Sequence, residues 1–181
     1  LIYRTLQTLY DVTEEKTGVD VGQTYKDAET ITDEALDWLS GVDDPFFCWV
    51  HYMDVHHPYV PHDDAAEALG IDLDISEREA VQLRRKMLEE PDTVTDAEFQ
   101  TLLDLYDAEI RYTDAQIGRL KEAVDARFGT DETAFVVTAD HGEEFLEHGR
   151  FSHKDGMYDE VLSVPLVLRG GCVGADRPQE G

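Results

Sequence analysis

Cysteine is nearly absent: Cys48 and Cys172 are the only two in 181 residues. Two cysteines build neither a disulfide framework nor a cysteine zinc cluster, and Cys48, inside an apolar run, reads as a small hydrophobe. Cations are scarce as well, with 15 lysines and arginines against 41 acidic residues and a formal net charge of −26. A field of that sign repels nucleic acid and anionic membranes, so neither is expected as a partner. No apolar run approaches membrane-spanning length, which argues against insertion. Repeats and low-complexity tracts are missing. The chain does not begin with Met, so that any signal peptide would be hidden, and it stops at RPQEG. It reads as a piece of a longer protein whose compartment is left open.

What is present is an ordinary share of hydrophobic residues, 41%, enough for a sizeable core and against disorder. A normal core under a carboxylate-rich surface suits a saline environment, where salt screens the self-repulsion; the plainer alternative is an ordinary acidic protein. The whole chain is read as one partial α/β domain.

Helix and strand patterns alternate. Ile31, Ala35, Leu36 and Leu39 share a helical face that ends at Gly41. Ser76 with Glu79, and Thr95 with Glu98, form capping-box patterns. The first opens a helix to about Glu90. The second opens a long amphipathic helix running through Phe99, Tyr106, Ile117 and Val124 to Phe128, stopped by Gly129. FFCWVHYM at 46–53, AFVVTA at 134–139 and the PLVLRGG stretch read as strands, with a short helix near Tyr158 to Leu162. Continuous apolar strands separated by helices predict a mostly parallel sheet covered on both faces. Such sheets gather functional groups beyond the carboxyl ends of their strands. Two runs end in chemistry: FFCWVHYM leads to Asp54 and His56, and AFVVTA to Asp140 and His141.

Asp140 beside His141 suits a divalent metal; the alternative is a capping Asp and a surface His. In the DVHHPY loop, Pro58 holds its predecessor extended, so the imidazoles are rigidly presented, fit to donate to an anionic oxygen or protonate a leaving group. Downstream, His153 and Lys154 precede a glycine turn. A lysine there suits an anion, although a lone lysine is more often a solvated one.

The order of these motifs resembles the sulfatase family, a branch of the alkaline-phosphatase-like superfamily. The matching stretches are D-V-H-H-P-Y at 54–59, Y-D-A-E-I-R-Y-T-D-A-Q-I-G-R-L at 106–120, T-A-D-H-G-E-E at 138–144, E-H-G at 147–149 and H-K-D-G-M-Y-D-E-V-L-S-V-P-L at 153–166. The resemblance implies an alkaline-phosphatase-like core that is incomplete here, and an enzyme cleaving small-molecule or glycan sulfate esters. It implies Asp140 and His141 as metal ligands, His56 and Lys154 as catalytic groups, and His153 in the same pocket. Calcium is the metal the family suggests; manganese, magnesium or zinc are alternatives, since His141 stands where an Asn is frequent and calcium prefers oxygen. The family's nucleophile, a formylglycine made from C/S-x-P-x-R, has no counterpart among the 181 residues. It is expected in an upstream segment, together with a further Asp pair, for which Asp43-Asp44 falls at the wrong point in the order. Two other readings stay open. One is a phosphodiesterase or phosphoglycerol transferase of the same superfamily; the other is a non-catalytic binding or structural module.

Overall fold

The computed structural model describes residues 25–43, 45–153 and 156–170. Asp44, Lys154 and Cys172 lie outside the described residues. The helices are α1 Ala28–Ser40, α2 Asp63–Ala68, α3 Glu77–Glu89, α4 Asp96–Phe128 and α5 Asp159–Leu162, and the strands are β1 Phe135–Thr138 and β2 Leu166–Arg169.

Local chemistry sets most of these bounds. Both capping boxes form: Ser76 and Thr95 each accept from the backbone N–H three residues on, and Glu79 and Glu98 reach back. Gly41 closes α1, and Gly129, at φ 88°, closes α4. At 33 residues and ~1.5 Å per residue, α4 runs about 50 Å and is the spine of the fold. Its first half carries one core, where Leu102 and Leu105 meet Leu83 and Met87 of α3 and Tyr59 and Phe151 from two loops. Its second half carries another, where Leu120 and Val124 meet Leu39 of α1, with Phe46, Val50 and Phe135 packed against them.

The expected parallel sheet is not what these residues form. Among the described residues, β1 and β2 make one antiparallel ladder, with Val136 opposite Leu168 and Thr138 opposite Leu166. FFCWVHYM is not a strand. The segment 45–53 has no ladder partner among the described residues, and a strand exists only through its inter-strand hydrogen bonds. Phe46 and Val50 turn to the second core, while Phe47 and Trp49 are 83% and 76% exposed. Cys48 is exposed too, not the buried hydrophobe its surroundings suggested. Arg169 of β2 clamps the ladder to α4 through both carboxylate oxygens of Asp125, at 2.5 and 2.7 Å.

Candidate active site

The site is built from two loops whose aromatic residues are planted in the first core. Tyr59 is 2% and Phe151 6% exposed. Fixing them fixes their neighbours, His56 and His57 on one loop and Ser152 and His153 on the other. Glu109 of α4 holds the first loop, accepting from the Val60 amide at 2.7 Å and lying 3.1 Å from His62 Nε2. Asp54 ties the start of the same loop to α1, accepting from the Ala28 amide at 2.7 Å. Burial pushes the Asp54 and Glu109 carboxyls up.

β1 delivers the third part. Its chain leaves Thr138 and reaches Asp140 and His141 two and three residues on. Gly142 then passes so close to α5 that an added Cβ would lie 2.0 Å from the Glu160 carbonyl oxygen, while its own N–H donates to the Val161 carbonyl at 2.8 Å. Close approach, not a left-handed backbone, is what requires glycine here.

These elements bring three imidazoles together. The His153 ring lies 4.0 Å from that of His141 and 5.2 Å from that of His56, centre to centre. Asp140 joins them, its Oδ1 3.8 Å from His141 Nε2. Burial, reinforced by His153 and His141 nearby, pushes His56 down toward its neutral form.

Hydrogen bonds assign the tautomers. His141 Nδ1 sits 2.7 Å from the Gly142 carbonyl, which can only accept, so Nδ1 carries the proton and Nε2 keeps its lone pair. His153 Nδ1 lies 3.0 Å from Glu143 Oε1, and Tyr59 donates to the other carboxylate oxygen at 3.2 Å. Burial and the facing Glu143 push the Tyr59 hydroxyl far up, so it stays a donor.

The pair Asp140–His141 fits a divalent metal. Its donor atoms are 3.8 Å apart, within the ~4.3 Å that one ion can bridge at about 2.0–2.2 Å from each. A different trio, His56, His57 and His153, places ligand atoms within 4.8 Å of one another, but His57 has nothing to give. Arg84 donates to its Nδ1 at 3.1 Å, and its Nε2 faces Ser152 Oγ at 3.0 Å. A guanidinium cannot accept, so Nδ1 is the acceptor and the proton sits on Nε2. The same reasoning bars Ser152 and His57 as a nucleophile–base pair. Ser152 and His57 have the spacing of nucleophile and base, yet His57 donates to the hydroxyl instead of taking its proton.

Of the five residues singled out in the sequence, Asp140, His141, His56 and His153 are placed together, and Lys154 lies outside the described residues. Sequence reasoning missed Glu143, Tyr59 and Ser152 as site components. Glu143 and Tyr59 had a signal, since each lies inside a motif already quoted. Arg84 had none, being one charge in a charged helix.

Comparison with known proteins gives the family. The sulfatase family profile matches residues 3–175. The chain belongs to the sulfatase family. It is 28% identical over 160 residues to the uncharacterized sulfatase YidJ of Escherichia coli (strain K12), covering 82% of this chain and 32% of that one. It is 31% identical over 125 residues to iduronate 2-sulfatase of Homo sapiens, covering 68% and 22%. The crystal structure of the YidJ protein of Bacteroides fragilis superposes with a TM-score of 0.59 at 27% identity, covering 80% of this chain and 31% of that one. The chain thus spans about a third or less of the relatives it matches. The solved relative supports the alkaline-phosphatase-like fold at family level, although a mostly parallel sheet is not seen among the described residues.

Proposed function

We propose that this chain carries the metal-binding and leaving-group part of a sulfate ester hydrolase. The observation that carries the reading is the meeting of His56, His141 and His153 with Asp140, on loops joined only through the fold. Asp140 and His141 would hold a divalent cation, calcium by family and manganese, magnesium or zinc by the imidazole. When bound, it supplies positive charge for the negative charge that gathers on the sulfuryl oxygens.

The chain's own residues do the rest. His56 acts at the bridging oxygen as hydrogen-bond donor or acid. His153, oriented by Glu143, presents Nε2 to the ester group. Lys154, by the family resemblance, would bind the ester group with its charge. The attacking group, a formylglycine, comes from outside the 181 residues, so the chain alone turns over nothing. The substrate is a small-molecule or glycan sulfate ester. The imidazole of His141 is the one feature that also favours a phosphoester relative, a phosphodiesterase or phosphoglycerol transferase.

Titration with manganese at high salt, which suppresses diffuse binding to the acidic surface, tests the metal site. Asp140→Ala abolishes the site-specific component, and Asp131→Ala, at an exposed turn, leaves it intact. Equal losses, or none, would reduce ADHGE to a polar turn. Metal-dependent cleavage of an aryl sulfate or a phosphate diester by the purified chain would overturn the placement of the nucleophile.

A further inference from the structure

The loops bearing His56 and His153 are joined by a hydrogen-bonded chain to which none of the roles above refers. It starts on α3, where the Arg84 Nε–H donates to His57 Nδ1, and continues from His57 Nε2–H to Ser152 Oγ. His57 is 4% and Ser152 3% exposed. Water does not compete for the bond between them, and breaking it leaves a buried donor unsatisfied.

We propose that Arg84, His57 and Ser152 form a strap that locks the 54–59 loop to the 145–153 loop and thereby sets the positions of His56 and His153. The strap rests on the reading above that these two imidazoles face the substrate. Arg84 and His57 are positioning residues.

Three observations support the strap. Arg84 selects one tautomer of His57, and only that tautomer can donate to Ser152. Ser152 has φ 88°, a conformation that a non-glycine residue holds only when its surroundings over-determine it. Here the His57 bond holds the hydroxyl, and the Glu144 carbonyl accepts from the Ser152 amide at 3.1 Å. That left-handed residue is also the point at which the chain turns from Phe151, in the core, to His153, in the site. Finally, the His57 ring touches both neighbours of Ser152, lying 5.6 Å from Phe151 and stacking on His153 at 5.7 Å and 27°. A tautomer flip would therefore be felt by the backbone that aims His153.

Long-range 1H–15N spectra of the 15N-labelled chain test this without any need for turnover, so they stand even if the proposed activity fails. In the wild type, His57 carries its proton on Nε2. Arg84→Met, which keeps the stem and removes the donor, gives mixed His57 tautomers and weakens the His153 Nδ1–H signal, with helix content by circular dichroism unchanged. Arg84→Lys, which retains a donor, restores both. Ser152→Gly tolerates the positive φ and deletes the hydroxyl; it weakens the same His153 signal and carries the test should Arg84→Met fail to fold. In the complete enzyme, Arg84→Met lowers kcat about tenfold with KM little changed, inside the ~100-fold that a 1 Å misplacement can cost. A wild-type His57 protonated on Nδ1, or His57 and His153 signals indifferent to these substitutions, would overturn the strap.

Discussion

Glu143 Oε1 lies 3.0 Å from Nδ1 of His153, and the carboxylate between them is only 5% exposed. The same carboxylate accepts from Tyr59, rooted in the core. Orientation of a site imidazole is thus transmitted from apolar packing through one buried acid. Glu143→Gln keeps the shape and removes the charge. The loss expected is about 1.5–3 kcal/mol, the range for hydrogen bonds to charged groups. Urea denaturation measures it, and a variant as stable as the parent would show that the carboxylate is dispensable.

Gly142→Ala places a methyl group 2.0 Å from the Glu160 carbonyl oxygen. The backbone must move, because the obstacle is backbone and not the tip of a flexible side chain. Overpacking of this kind costs about 1–3 kcal/mol. Manganese affinity should fall with stability, since Asp140 and His141 are adjacent. Calorimetry on the variant checks both, and an unchanged affinity would detach the metal pair from the α5 contact.

Glu109 predicts a pH dependence. Burial raises its carboxyl above the ordinary 4.5, against the opposing pull of His62 and the Val60 amide. A raised group binds its proton more tightly in the folded state. Its stabilising contribution is therefore full below about pH 4.5 and is lost as pH rises through the folded value. Glu109→Gln removes this titration. The stability of the parent minus that of the variant should fall as pH rises from about the ordinary 4.5 through the raised folded value. A flat difference across urea titrations at several pH values would refute the assignment.

The net charge of −26 predicts stabilisation by salt. Raising potassium chloride from ~0.1 to ~1 M shortens the screening length from about 10 to about 3 Å. The melting midpoint should rise by at least ~4 °C, equivalent to about 1 kcal/mol or more for a chain of this size. A midpoint indifferent to chloride would leave the acidic composition without a role in stability.

Helices were legible because their signals are local. Ser76, Thr95, Gly41 and Gly129 mark ends that depend on a few neighbouring backbone groups, and the apolar face of α4 follows from spacing alone. The six-residue α2 carried no start signal, since His62 gives it no side-chain cap. The sheet was not legible for the opposite reason. An apolar run such as FFCWVHYM states that a segment can be extended, while pairing and direction depend on a partner elsewhere. In the site, Asp140, His141 and His56 stood out by residue type at the ends of apolar runs, and His153 as an imidazole ahead of a glycine turn. The hydrogen bonds that orient them were not legible, because His57 meets Ser152 across 95 residues and Arg84 across 27.

The β1–β2 ladder shows water an apolar surface: Val136, Leu166, Val167 and Leu168 are each between 48% and 64% exposed. That surface sets the colloidal behaviour of the chain against its thermal behaviour. At low ionic strength the carboxylates keep molecules apart and also strain each molecule from within. Added salt relieves the strain and, by the same screening, lets oily ladders meet. Solubility and melting temperature therefore run in opposite directions as salt rises, and the best solution for handling this chain is the most saline one at which it still scatters light as a single particle.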